Sequence, residues 1–168
     1  GEKVVELFDN ELELTAIDDC VTVYLRDSPP LFVSKFVLQL RSSVFRRALT
    51  DAFREGSTRE IHIMDFSSEA VKHFMKWLHT DFLAVKLLSV EDLIAVCGLG
   101  DKYDVIAVQA VVVNQVEKLD ISPNQIAMGF RALREFPIAS LRTALVKKLR
   151  LLEEDDFKSF IDVTSLLS

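Results

Sequence analysis

The spacing of apolar residues changes character part-way along the chain. Cys20-Val21-Thr22-Val23-Tyr24-Leu25 is rich in branched and aromatic side chains and predicts a strand. Arg26-Asp27-Ser28-Pro29-Pro30 predicts a turn, because tandem prolines remove two ladder donors. Leu31-Phe32-Val33 returns as a short second strand. Ser34 is placed to cap a short helix over Lys35–Leu40, and Ser42 or Ser43 to cap another through Val44, Phe45, Ala48 and Leu49. Arg59 to Met64 alternates polar and apolar, the signature of a half-buried strand.

Beyond that strand the period becomes helical. Ser67 or Ser68 precedes a helix over Glu69–Thr80, with Val71, Phe74, Met75 and Leu78 on one face. Ser89-Val90-Glu91-Asp92 resembles a capping box ahead of Leu93, Ile94, Val96 and Cys97. Asp104 is placed to cap the next helix, whose stripe is Val105, Val108, Val112, Val116 and Leu119. Ser122-Pro123-Asn124-Gln125 combines an N-cap, a proline at the first helical position and a glutamine three residues after the cap; it is the sharpest local signal in the chain. Pro137 breaks the chain before a helix over Ile138–Leu152, followed by a short one over Glu154–Ile161. The closing Val163–Ser168 reads as the start of a further helix, so the chain is expected to continue. Short early strands and a helical remainder predict an α+β, mostly α fold rather than a doubly wound sheet.

Composition narrows the function. Hydrophobic residues at 49% and charged residues at 27% are globular values, which sets disorder aside. The 12 phenylalanines, against 2 tyrosines and 1 tryptophan, carry no polar handle and are expected in a core or a dry interface. A net charge of −6 lacks the basic excess of a nucleic-acid binder. Arg41, Arg46, Arg47, Arg54 and Arg59 lie among Asp51, Glu55 and Glu60, which predicts a solvated face of weak ion pairs. Lys147, Lys148 and Arg150 read as the polar side of an amphipathic helix. No stretch approaches the roughly 18–20 apolar residues of a membrane span. Residues 1–18 are repeatedly acidic and lack the apolar core of a secretory signal.

Chemistry-bearing patterns are sparse. Cys20 and Cys97 lie far apart in apolar surroundings and read as reduced core thiols of an intracellular protein. His73 and His79 are six apart, on different faces of one helix, which disfavours a shared metal. Glu69 and His73, four apart, predict a surface pair. Gly98-Leu99-Gly100 lacks the third glycine of a dinucleotide fingerprint and sits in a helical pattern. Asp18-Asp19 and Asp155-Asp156 stand beside predicted element starts, where capping explains them. No catalytic, cofactor-binding or metal residue is therefore expected.

From Asp19 to Phe45 the chain resembles the BTB/POZ family. That family opens with an Asp, a hydrophobic strand, a hairpin and a stretch similar to Phe-x-Val-His-Lys-x-Val-Leu, then a Ser and a Phe. Here the stretch is Phe32-Val33-Ser34-Lys35-Phe36-Val37-Leu38, followed by Ser42, Ser43 and Phe45, with Ser34 where the family has His. Glu60-Ile61-His62-Ile63-Met64-Asp65 and the helix of Val71, Phe74, Met75 and Leu78 continue the match. His79-Thr80 stands where the family has Tyr-Thr, and Gly100-Asp101-Lys102-Tyr103 where it has Ala-Asp-Lys-Tyr. The resemblance implies a BTB/POZ domain over residues 19–120, an N-terminal extension over 1–18 that could join a dimer contact, and a partial BACK-like helical region over 121–168. It is similar to the MATH-BTB and BTB-Kelch arrangements.

The resemblance also implies partners. Such domains form homodimers through the N-terminal segment and first helices, which here points to Leu7, Phe8, Phe36, Leu40 and Phe45. Many bind the N-terminal domain of cullin-3 and act as substrate adaptors of a ubiquitin ligase, using a hydrophobic-x-Glu motif; Phe53-Arg54-Glu55 sits at that position. The region from Asp81 to Val105 and the start near Ser122–Phe130 would supply the rest of that contact. An exposed Phe53 could fill a partner pocket with Glu55 facing a basic rim, or could pack back on Phe45 or Leu49. The substrate would be held by a domain outside this chain, in the cytoplasm, the nucleus or both. The competing expectation is a dimeric BTB scaffold for transcriptional co-regulators that does not bind cullin-3. An enzyme with an unrecognised site is a third, remoter reading.

Overall fold

The computed structural model describes residues 19–50 and 57–151. Strand β1 (Cys20–Leu25) is the centre of a three-stranded sheet, flanked by β2 (Leu31–Ser34) and β3 (Glu60–Ile63). β1 and β2 are antiparallel, with Val21 opposite Val33 and Val23 opposite Leu31. β1 and β3 are parallel, with Val23 opposite Ile61 and Leu25 opposite Ile63. A parallel pair needs a crossover. Helices α1 (Lys35–Arg41) and α2 (Ser43–Ala48) lie within that connection. The period-2 pattern places Val21, Val23, Val33, Ile61 and Ile63 in the core. It leaves Thr22, Tyr24 and His62 on the other face, where the Tyr24 and His62 rings stack 4.7 Å apart.

Helix α3 (Ser68–Thr80) follows β3 and buries Val71, Phe74, Met75 and Leu78, as its spacing predicts. It begins at Ser67, whose side chain accepts from the Ala70 N–H, and ends at Asp81 in the left-handed conformation, φ 57°. An aspartate tolerates that region better than most non-glycine residues do. Helix α4 spans Val90–Lys102, so Gly98 and Gly100 lie inside a helix and no phosphate loop exists there. The Ser89 hydroxyl accepts from the Asp92 N–H at 3.1 Å, which is the local start signal at work.

By contacts the chain divides into two units. One comprises the residues up to Ala84 together with Leu99–Val105; its core carries the sheet, α1, α2 and α3. Within it Tyr103 stacks on Phe45 at 4.3 Å between ring centres, with Phe74 beyond at 6.3 Å. The other comprises Val85–Gly98 and the residues from Ile106 onward. It holds α5 (Ala107–Lys118), α6 (Pro123–Glu135) and α7 (Ala139–Arg150). Val108, Val112 and Val116 are buried along α5, and Ile126, Phe130, Leu141 and Leu145 in the α6–α7 pair. A Cβ on Gly129 would lie 2.7 Å from Leu145 Cδ1 and 3.0 Å from Val90 Cγ1. Glycine at this position lets α6 approach α7 closely, and a larger residue would make the Leu145 and Val90 side chains shift.

One expectation needs correction. Asp104 does not cap α5: that helix opens at Ile106 with no side-chain cap. Asp104 instead adopts φ 56°, and its carboxylate accepts the Ser43 hydroxyl. Arg41 forms an ion pair outside its own segment. Its guanidinium sits 2.7 Å from Asp81 Oδ1 and 4.8 Å from the centre of the Trp77 ring. For Asp104, tertiary packing supplies a distant partner in place of the local helix start. The predicted helix over Glu154–Ile161 lies outside the described residues.

Candidate protein-interaction surface

Helix α1 combines a firmly held N-terminus with an exposed apolar face. Ser34 is its N-cap: Ser34 Oγ accepts from the Val37 N–H at 3.2 Å, as the sequence predicts. The same hydroxyl donates to Asp19 Oδ2, and Asp19 Oδ1 accepts from the Phe36 N–H at 2.9 Å. Two of the first-turn N–H groups that every helix leaves unpaired are therefore satisfied, one by Ser34 and one by an aspartate from the start of β1. The Asp19 carboxylate also lies at the positive end of the helix. The Ser34 backbone N–H in turn donates to His79 Nε2 at 3.1 Å, while His79 Nδ1 meets the Met75 carbonyl at 2.7 Å. Those partners fix the tautomer, with the proton on Nδ1 and an acceptor at Nε2. Burial is the largest influence on His79 and draws its pKa down, with Arg41 acting the same way; the Met75 bond and Asp19 oppose it without cancelling it.

Asp, Ser and His thus meet at one place, but not as a nucleophile and its base. The Ser34 hydroxyl gives its proton to Asp19, and the imidazole touches the serine backbone rather than Oγ. The serine–imidazole hydrogen bond of a nucleophile and its base is not made. Two of the positions at which the chain departs from the BTB pattern, Ser34 and His79, are bonded to each other. Sequence reading found each departure and missed the bond, since 45 residues separate them. Two departures from one family pattern were the available signal that they form a pair.

Beyond the cap, α1 turns Leu38 into the core and leaves Phe36 65% and Leu40 61% exposed. Residues four apart share a helix face, so these two side chains make one apolar patch. The expected contact residue Phe45 is placed elsewhere. It is 1% exposed, stacked on Tyr103, and offers no surface to a second copy. The resemblance points to the first helices as a whole and does not say which of their side chains face outward. Leu7, Phe8, Phe53, Arg54 and Glu55 lie outside the described residues.

The Asp101–Asp104 segment locks the base of this unit. Lys102 Nζ lies 2.7 Å from Asp65 Oδ2 and within 5.7 Å of the Phe66 ring centre. Burial raises the Asp65 carboxyl, but the Lys102 hydrogen bond, its own backbone N–H and the Lys102 charge together pull its pKa below the ordinary value. The Tyr103 carbonyl accepts the Ser42 hydroxyl, which also caps α2 by accepting from the Phe45 N–H at 3.0 Å. Glu69 and His73 form the expected surface pair at 3.8 Å. Cys97 is fully buried, which pushes its thiol up to about 12, and burial followed by the Asp19 charge raises Cys20. Both are poor nucleophiles as thiols. Among the described residues no cluster of three or more His, Cys, Asp or Glu could hold a metal ion, and no helix is long and apolar enough to cross a membrane.

An anchored helix presenting adjacent apolar side chains is the equipment of a protein-interaction module. The BTB/POZ domain family model matches residues 10–123, well over half of the chain, and the chain belongs to that family. BTB/POZ domains are protein-interaction domains that commonly homodimerise and are not generally catalytic. The mostly helical architecture with its small three-stranded mixed sheet is the BTB fold followed by further helices. No curated protein compared with the chain matches it.

Proposed function

We propose that the protein is a homodimerising substrate adaptor of a cullin-3 RING ubiquitin ligase. The observation that carries the interaction reading is the α1 patch of Phe36 and Leu40, exposed on a helix whose cap and buried Leu38 hold it in place. Burying such side chains against a partner is worth about 1.5–3 kcal/mol each. The cullin reading is supported by membership of the family and by Phe53-Arg54-Glu55 ahead of β3, where family adaptors carry a hydrophobic-x-Glu motif. We read residues 121–168 as the start of a BACK-like region; the closely packed α6–α7 pair supports this. The mechanism is positional. The module would hold a target near a ubiquitin-charged enzyme, and dimerisation would raise the effective concentration of both.

The experiment is titration calorimetry of the chain against a cullin-3 N-terminal domain. A Phe53→Ala, Glu55→Lys double variant, verified for unchanged fold and dimer, runs beside it. Tight binding by the parent and at least a hundredfold loss in the variant, about 2.7 kcal/mol, is the expected result. No binding by the parent leaves a self-associating scaffold and removes the adaptor function.

A further inference from the structure

A helix N-terminus is ordinarily fastened by acceptors that do not titrate near neutrality, such as serine hydroxyls and backbone carbonyls. At α1 one of the fastenings is an imidazole. His79 Nε2 accepts the N–H of Ser34, the residue that joins β2 to α1. His79 Nδ1 is already committed to the Met75 carbonyl, so the ring cannot turn over without losing that bond. Adding a proton to Nε2 sets two donors against each other across 3.1 Å. The half-buried ring has little water to turn to.

We propose that His79 is a proton-operated latch on the β2–α1 junction: neutral, it holds the Ser34 backbone; protonated, it releases it and loosens the first turn of α1. Two charged groups among the described residues act on the ring, Asp19 and Arg41. Asp19, from the start of β1, favours the proton, but both its oxygens are engaged, by Ser34 Oγ and the Phe36 N–H. Arg41, from α1, opposes the proton and is itself paired with Asp81. Burial sets the balance toward the neutral ring. The free imidazole titrates near about 6.5, and the closed junction holds His79 below that. The latch is therefore intact above about pH 6.5 and opens progressively as pH falls beneath it. Between the open and closed pKa values the opening equilibrium grows by up to about tenfold per pH unit. The segment released is the one that carries Phe36, one of the two exposed apolar side chains of α1.

The test is amide hydrogen exchange resolved by NMR between pH 7.5 and 5, with rates corrected for intrinsic exchange. The protection of Ser34 should fall by up to about tenfold per pH unit below about 6.5, while amides of α3 at Phe74 and Met75 keep theirs. The imidazole nitrogens should report an Nδ1-protonated ring at pH 7.5. His79→Tyr and His79→Gln keep an acceptor that does not titrate in this range, and either should flatten the Ser34 response; two variants guard against one failing to fold. Constant Ser34 protection in the parent overturns the latch, since the imidazolium would then have found another partner such as Asp19. So does the same pH response in both variants.

Discussion

Two helix N-termini in this molecule solve one problem in opposite ways. At α6 the solution is wholly local. Ser122 Oγ accepts from the Gln125 N–H at 3.3 Å, and the Gln125 side chain returns to the Ser122 N–H at 2.8 Å, with Pro123 removing a further donor. At α1 the solution is assembled from three elements: Ser34 at the end of β2, Asp19 at the start of β1 and His79 near the end of α3. The local cap forms whenever its four residues turn into a helix. The distributed cap forms only when the sheet and α3 are already in place, so it ties α1 to the fold of its whole unit. The helix fastened this way is the one that presents the exposed apolar face. A surface meant for a partner benefits from being held in one position before the partner arrives, because less ordering remains to be done on binding.

The contrast can be broken by substitution. Asp19→Ala should have the largest effect, a loss of about 2 kcal/mol in urea unfolding. It strips an acceptor from both the Phe36 N–H and the nearly buried Ser34 hydroxyl. A loss under about 0.5 kcal/mol would mean that water replaces the carboxylate and that the distributed cap is ornamental. Ser122→Ala should cost about 1 kcal/mol, the usual worth of an N-cap. Its helical content should fall at α6 alone, as read from local amide exchange. Equal costs for the two substitutions would erase the distinction between distributed and local capping.

The smallest effect on stability is expected at the patch itself. Phe36→Ser with Leu40→Ser should change the unfolding free energy of the monomer, compared at concentrations where the parent chain is also monomeric, by less than about 0.5 kcal/mol, since neither side chain packs in the core. If α1 is the self-association face, sedimentation velocity should show the dimer of the parent chain shifting to monomer in this variant. A dimer that persists would move the contact to residues outside α1.

Much of the architecture was legible from local patterns. Serine caps at positions 34, 89 and 122 precede helices as predicted, and the structure chooses Ser42 over Ser43 and Ser67 over Ser68 where the sequence left both open. The alternation from Arg59 to Met64 gave β3, with Ile61 and Ile63 inward. Where reading failed, a long-range partner had displaced a local one. Asp104 serves Ser43 rather than α5. Phe45 was placed on a contact surface although its ring lies against Tyr103. The candidate site was half legible. The order of landmarks identified the family and Ser34 was recognised as a cap, yet nothing in either local segment announced that Ser34 and His79 touch.

Among the described residues, the sequence by itself determined which segments form the three strands and the main helices and where most of those helices start, and its order of landmarks pointed to the family. Hydrophobic period, capping residues and proline act over a few residues and are written in order along the chain. The tertiary structure alone decided that Asp19 and His79 share one cap, that Phe45 is interior, and that Phe36 and Leu40 face outward. Those outcomes depend on which surfaces of β1, α1, α2 and α3 come together. Packing settles that choice through the burial of apolar area and the satisfaction of buried polar groups, neither of which is carried by any one segment.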